Sequence, residues 1–196
     1  MRRFLLAALL CFGMTWQAVA TTVVPGHAYF GKDVSAEHIG GSIDLTDQNG
    51  QRRSLDEFRG KVVLIFFGYT SCPDFCPTTL LRMAQVMKIL GADADKAQLL
   101  WVTVDPERDT QALLKSYVAA FNPKFLALRG TPAQTKTLAR NFHVGYQILH
   151  YNGTILVDHS AYGYLIDPSG KTRLKLPYDM TADQVAEDIR NFLRRG

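Results

Sequence analysis

The chain has 196 residues, of which 47% are hydrophobic and 20% are charged, as is typical of a folded globular protein. Lysine and arginine total 22 against 18 aspartates and glutamates, so the formal net charge is only +4. This small surplus, together with the absence of a basic run or an RNA-binding signature, argues against nucleic acid as a partner. The length allows one domain plus a targeting segment.

The first twenty residues have the pattern of a secretory signal peptide. A basic pair, Arg2 and Arg3, precedes an apolar stretch over residues 4–14, and a small-x-small site ends at Ala20. We predict cleavage after Ala20 and a periplasmic protein, either free or tethered to the inner membrane. The alternative is an uncleaved anchor over residues 4–20, although this run is shorter than the ~20 residues that a spanning helix needs.

Residues 21–40 show no clear periodicity and are predicted to form an extended lead-in to one domain over residues 41–196. This domain opens with a β-hairpin, because residues 42–46 alternate apolar and polar side chains before a turn at 48–50. The returning strand is predicted at 52–54, and a short helical turn follows it.

The rest of the chain alternates apolar runs with amphipathic helical patterns. The predicted elements are a strand at 62–67, a helix from Pro77 to Gly91, a strand at 99–104, a helix capped near Asp109 or Thr110, a strand at 125–128, a helix from Pro132 to about Phe142, strands at 162–166 and 173–176, and a last helix capped by Thr181. This order predicts a thioredoxin-like α/β fold, with a central mixed sheet flanked by helices and the amino-terminal hairpin added.

Two cysteines, Cys72 and Cys76, stand between the strand at 62–67 and the helix that follows it. Cleavage after Ala20 removes Cys11, so the mature chain keeps one pair, which in an exported protein normally forms a structural disulfide. So short a loop constrains little of the unfolded chain, which leaves a redox dithiol or a soft-metal site as alternatives. We predict that Cys76 is the amino cap of the helix and that both sulfurs face solvent with lowered pKa values.

A histidine, His159, lies just before the strand at 162–166, in the segment predicted to face the thiols. A single histidine at a strand end is usually a hydrogen-bonded residue, but the position opposite paired thiols favours a ligand. Two thiolates and one imidazole suit Cu(I), and a fourth weak ligand or water would allow Cu(II). Asp158 and Asp105 are candidates to orient a ligand, the latter because it ends a neighbouring strand.

Other candidate ligands are weaker. Met83 and Met87 offer thioether sulfurs, but their spacing matches the apolar stripe of the helix, so core packing is predicted. The remaining histidines have no paired position along the chain: His27, His38, His143 and His150.

The chain resembles the Sco/SenC family in three linked motifs. They read GYTSCPDFCPTTL at 68–80, VDPERDT at 104–110, and VDHS at 157–160 followed by YLIDP at 164–168. The resemblance covers about residues 40–195. It implies an exported, often membrane-tethered, thioredoxin-fold copper protein that helps assemble the dinuclear copper centre of cytochrome c oxidase or reduces the cysteines of that subunit.

By residue match, the resemblance implies that Cys72, Cys76 and His159 are copper ligands. The chain departs from the family at Ser71, where many relatives have histidine, and in its weak amino-terminal anchor.

Two functions follow as hypotheses. The first is a metallochaperone that takes copper from a periplasmic donor and passes it to an acceptor such as a cytochrome c oxidase subunit. The second is a thiol-disulfide oxidoreductase that draws on a periplasmic reductant. A peroxiredoxin-type peroxidase is disfavoured, because Tyr69 and Ile65 stand where that chemistry needs a hydroxyl residue and a proline. A purely structural disulfide remains the alternative without a copper or redox role.

Overall fold

The computed structural model describes residues 29–151 and 154–195, which form ten strands and four α-helices within those ranges. The strands are β1 (Lys32–Asp33), β2 (Asp44–Asp47), β3 (Arg52–Ser54), β4 (Val62–Gly68), β5 (Ala97–Thr103), β6 (Leu126–Arg129), β7 (Tyr146–Tyr151), β8 (Thr154–His159), β9 (Gly163–Ile166) and β10 (Thr172–Leu176). The helices are α1 (Phe75–Leu90), α2 (Gln111–Ala119), α3 (Pro132–Asn141) and α4 (Ala182–Arg195). Short 3-10 helices occupy Leu55–Phe58 and Gly91–Lys96.

Eight strands form one mixed sheet in the order β1-β10-β9-β4-β5-β6-β2-β3. Strands β4, β5 and β6 are parallel, and the strands on either side of them are antiparallel. The predicted central mixed sheet with flanking helices is therefore confirmed. The predicted amino-terminal hairpin is β2–β3, which joins one edge of this sheet through β6.

Both faces of the sheet are buried, as the continuous apolar run of β4 requires. Val62 and Leu64 face one hydrophobic cluster, in which the sheet packs against α1, α2 and α4. Val63 and Ile65 face the other cluster, which α3 covers. Met83 is fully buried in the first cluster, so the prediction that this residue packs in the core is confirmed.

Three helices begin as the sequence indicates. The Thr110 side chain accepts a hydrogen bond from the Leu113 backbone N–H at the start of α2. Thr131 with Gln134, and Thr181 with Gln184, exchange reciprocal hydrogen bonds at the starts of α3 and α4.

The start of α1 differs from the prediction. Asp74 is its N-cap residue and Phe75 its first helical residue, so Cys76 lies inside the first turn and not at the cap. Pro77 still fits, because the N–H groups of a first turn have no partner within the helix.

The predicted signal peptide at 1–20 lies outside the described residues. Within the lead-in, Phe30 and Gly31 donate their backbone N–H groups to the buried carboxylate of Asp188 on α4, and β1 pairs with β10. Of the helices that the structure describes, none has the length and apolar character needed to cross a membrane.

The segment before β9 forms a second, two-stranded sheet, β7–β8, to which the sequence analysis assigned no strands. The two strands pair in register from Tyr146 opposite His159 to Tyr151 opposite Thr154. The last residue of β8 is thus the candidate histidine.

Candidate metal centre

The two cysteines are free thiols that lie between the end of β4 and the first turn of α1. The Cys76 backbone N–H donates a hydrogen bond to the Cys72 sulfur over 3.5 Å, and the Cys72 N–H donates to the Tyr69 carbonyl. The turn therefore folds back so that the Cys72 sulfur sits against the start of the helix. These two hydrogen bonds hold the Cys72 sulfur in this position.

Gly68, the last residue of β4, makes room for the sulfur of Cys76. A Cβ atom built on this glycine would lie 2.7 Å from the Cys76 sulfur and 2.9 Å from the Trp101 indole nitrogen. Both distances are too short for any side chain. Close packing of the Cys76 thiol against the strand backbone thus explains the glycine that begins the motif.

The predicted solvent exposure of the sulfurs is wrong. Cys72 is 8% exposed and Cys76 is 3% exposed. Burial raises the pKa of the Cys76 thiol well above its usual range, although a hydrogen bond from the Tyr69 backbone works in the opposite direction. The physical reason is the earlier start of α1, which places Cys76 on the inner side of the first helical turn.

His159 reaches the thiols from the other side, at the end of β8. Its Nε2 atom lies 3.5 Å from the Cys76 sulfur, and its Nδ1 atom lies 3.1 Å from the Ser160 carbonyl oxygen. A carbonyl can only accept a hydrogen bond, so Nδ1 carries the proton and the Nε2 lone pair points towards the sulfurs. Burial lowers the pKa of this imidazole, which favours the neutral, ligating form.

The structure thus brings together the three residues selected from the sequence. One ligand atom from each of Cys72, Cys76 and His159 lies within 4.8 Å of the other two. This is the only group of three or more His, Cys, Asp or Glu residues with metal-binding geometry in the part of the chain that the structure describes. Two sulfurs and one imidazole nitrogen form a soft donor set of the kind that selects Cu(I).

A narrow cleft of about 20 Å³ leads to this group. Its walls include Phe75 and Thr79 of α1 and the segment 160–162, with Cys76 and His159 at its base. The Phe75 ring is partly exposed and stacks edge-on against Tyr178.

The two aspartates proposed to orient a ligand lie in different environments. Asp105 is buried, and its carboxylate accepts a hydrogen bond from Arg108, which also donates to the Ile155 carbonyl of β8. It therefore contacts the hairpin through Arg108 and lies outside the three-residue group. Asp158 is exposed, and its charge raises the pKa of His159 in opposition to the larger effect of burial.

Asp109 is a buried carboxylate next to the thiol turn. Sequence patterns predicted only a helix-capping role for this residue. Asp109 is 1% exposed and accepts hydrogen bonds from the hydroxyls of Thr70 and Thr103 and from the Thr70 backbone N–H. It thereby joins the loop after β4 to the loop after β5. An acid close to a helix start gives no sequence signal that separates this role from capping.

Replacing Asp109 with asparagine is expected to change how stability depends on pH. Burial raises the pKa of this carboxyl, and the charge of Asp105 adds to the effect. The folded protein therefore binds the proton more tightly than the unfolded chain, so this stabilisation is complete in acid and is lost as the pH rises through the raised pKa. Asp109→Asn should gain free energy of unfolding relative to the unaltered protein as the pH is raised from about 4, the ordinary pKa of an aspartate, towards neutrality.

The measurement is urea unfolding of both proteins across that pH range. Titrating carboxyls that do not interact with Asp109 cancel in the difference, because both proteins share them, whereas Asp105 interacts with Asp109 and contributes to it. A difference in free energy of unfolding that does not vary with pH would show that Asp109 keeps an ordinary pKa.

Comparison with known proteins identifies the family. The sequence pattern of SCO1/SenC matches residues 31–194. A SCO2-like protein of Rickettsia conorii is 38% identical over 156 residues, which cover 78% of this chain and 76% of that protein.

Solved structures agree with this match. ScoI of Bradyrhizobium japonicum, solved with copper bound, is similar with a TM-score of 0.74 and 38% identity, covering 79% of this chain and 99% of that one. Yeast Sco1 with copper bound is similar with a TM-score of 0.73 and 30% identity, covering 81% of this chain and 90% of that one. The chain belongs to the SCO1/SenC family.

Proposed function

We propose that this protein is a copper metallochaperone that binds one copper ion through Cys72, Cys76 and His159. The observation that carries the proposal is the approach of two sulfurs and one unprotonated imidazole nitrogen to within 4.8 Å of one another. Such donors prefer Cu(I), and a weak fourth ligand or water would extend the site to Cu(II). Membership of a family that includes copper-bound structures supports the same assignment.

Delivery to an acceptor follows from the chemistry of a site with few ligands. A three-coordinate ion leaves a position open, so a thiolate or imidazole of an acceptor can bind before the chaperone's ligands leave. The family resemblance points to the dinuclear copper centre of cytochrome c oxidase as the acceptor. We place the working protein in the periplasm, exported by the amino-terminal segment, where a copper donor supplies the ion.

The test is transfer to the metal-free, reduced oxidase domain that carries the dinuclear centre. Two equivalents of Cu(I)-loaded protein, mixed with the domain in the presence of a competing chelator, should transfer their copper, and one-electron oxidation of the loaded domain by ferricyanide should then generate the visible absorption of the mixed-valence centre. A His159→Ala variant treated with the same copper and chelator is the matched control. Equal transfer by the two proteins would contradict delivery from the three-residue site.

A second function, thiol-disulfide exchange, is favoured by the proximity of the two sulfurs. Oxidation of Cys72 and Cys76 to a disulfide would release two electrons and two protons, which would convert an acceptor disulfide into two thiols. The oxidised pair would then have to be reduced by a periplasmic reductant before copper loading, because a disulfide supplies no thiolate ligands. The two roles can therefore alternate in one protein.

A further inference from the structure

The placement of His159 does not come from the main sheet. The imidazole is carried by the β7–β8 hairpin, which forms its own two-stranded sheet and shares no ladder with the eight-stranded sheet in the residues that the structure describes. The thiols belong to the other structural unit, at the end of β4 and the start of α1. The distance between imidazole and sulfurs is therefore set by contacts that join these two units.

Tyr69 makes such contacts with all three residues of the site. Its backbone carbonyl accepts the Cys72 N–H over 3.3 Å, and its backbone amide acts to lower the pKa of the Cys76 thiol, against the larger effect of burial. Its ring packs edge-on against the His159 imidazole, with 5.7 Å between centroids and an interplanar angle of 88°.

The tyrosine hydroxyl adds a second contact with the hairpin. The Val157 backbone amide, two residues before His159 on β8, acts to lower the pKa of this hydroxyl, against the larger effect of burial, and so lies close to it. Val157 is itself buried in the same hydrophobic cluster as Tyr69. Ring and hydroxyl thus contact β8 at two neighbouring points, which limits both sliding of the strand and rotation of the imidazole.

Burial and neighbouring hydrogen bonds keep Tyr69 in position against His159. It is 4% exposed, directly follows β4, and precedes Thr70, which Asp109 binds through both backbone and side chain. Arg108 supports the hairpin separately, by donating to the Ile155 carbonyl, but that contact touches no residue of the site.

We propose that Tyr69 is a positioning residue that holds the His159 imidazole at the Cys72–Cys76 thiols and so sets the copper affinity. The inference rests on the proposed copper site and names a residue outside its ligand set. An aromatic edge and a fixed hydroxyl preorganise the imidazole before the ion arrives, and metal affinity depends on such support around the ligands. Because the effect acts through His159, it must vanish when His159 is absent.

The experiment measures the Cu(I) dissociation constant of the full, reduced chain by competition with a chelator. Tyr69→Phe removes only the hydroxyl contact, and Tyr69→Leu removes the ring contact as well. Each is made in the unaltered protein and in a His159→Ala background. Loss of a group that supports a ligand weakens metal binding by about 10- to 100-fold, so Tyr69→Leu should fall in that range and Tyr69→Phe should lie between it and the unaltered protein.

Tyr117→Phe is the matched control. Tyr117 is a tyrosine of α2 that packs on Trp101, and its buried hydroxyl has no hydrogen-bond partner in the described residues. Its removal should leave the copper dissociation constant unchanged. Thermal unfolding of each copper-free variant separates loss of fold from loss of positioning.

A spectroscopic readout tests the mechanism directly. In the Cu(II)-loaded protein, ¹⁵N-histidine labelling reports imidazole coordination through the nitrogen coupling in the electron paramagnetic resonance spectrum. Two results would support the inference. The nitrogen coupling should be weaker in the Tyr69 variants, and the Tyr69→Leu/His159→Ala double variant should bind copper with the same affinity as His159→Ala alone. Unchanged affinity in both Tyr69 variants, or a loss that persists in full without His159, would overturn it. If the unaltered protein bound no copper, the proposed function would fail and not merely this inference.

Discussion

A His159→Ala variant is expected to bind Cu(I) more than about 100-fold more weakly than the unaltered protein, since loss of a residue that only supports a ligand already costs about 10- to 100-fold. The imidazole contributes the one nitrogen donor of the site, and its Nε2 atom lies 3.5 Å from the Cys76 sulfur. Without the imidazole, the two sulfurs remain as the donors of the site. Chelator competition with the reduced protein measures the change in dissociation constant.

The same variant should keep its disulfide chemistry and its fold. His159 ends β8, and its side chain makes no hydrogen bond to the main sheet among the described residues. The matched control is His38→Asn, because His38 is exposed and has a positive φ of 49° that asparagine tolerates better than alanine. Copper binding by His159→Ala that equals the control would exclude the histidine as a ligand.

A Cys76→Ser variant is expected to lose both activities. A serine hydroxyl is a hard oxygen donor that does not replace a soft thiolate for Cu(I), so copper binding should fall below that of His159→Ala. No disulfide can form with Cys72 alone in the site, so reduction of an acceptor disulfide should also stop. Copper titration and a thiol count after mild oxidation provide the two measurements.

The matched control for this loss is Cys11→Ser in the full, uncleaved chain, because we predict that Cys11 lies in a signal peptide and outside the domain. Comparison of Cys76→Ser with His159→Ala then separates the two functions. A protein whose cellular role survives His159→Ala but not Cys76→Ser acts mainly through its dithiol. Copper binding that survived Cys76→Ser would mean that the ion sits elsewhere.

Much of the fold could be predicted from local patterns. The apolar run of β4, the hairpin turn near Gly50 and the caps at Thr131 and Thr181 are local features, and the structure has all of them. The start of α1 could not be placed correctly, because the proline at position 77 is compatible with several positions in a first turn. That difference of two residues changed the thiols from exposed to buried.

Local sequence patterns did not predict the strands of the β7–β8 hairpin. Their pairing is with each other and not with the main sheet, and the hairpin is held against the domain by single side chains such as Tyr69 and Arg108. The contacts Thr70–Asp109 and Arg108–Ile155 join residues that are 39 and 47 positions apart. Contacts over such separations leave no periodic pattern in a sequence.

The residue types along the chain identify the chemical groups that this protein can use: one pair of thiols at a strand-to-helix junction and one histidine far along the chain. Only the tertiary structure decided that the imidazole nitrogen lies 3.5 Å from a buried sulfur, with its lone pair aimed at it. The physical reason is that residue types are local properties, whereas burial, tautomer and distance arise from packing between segments that are 83 residues apart.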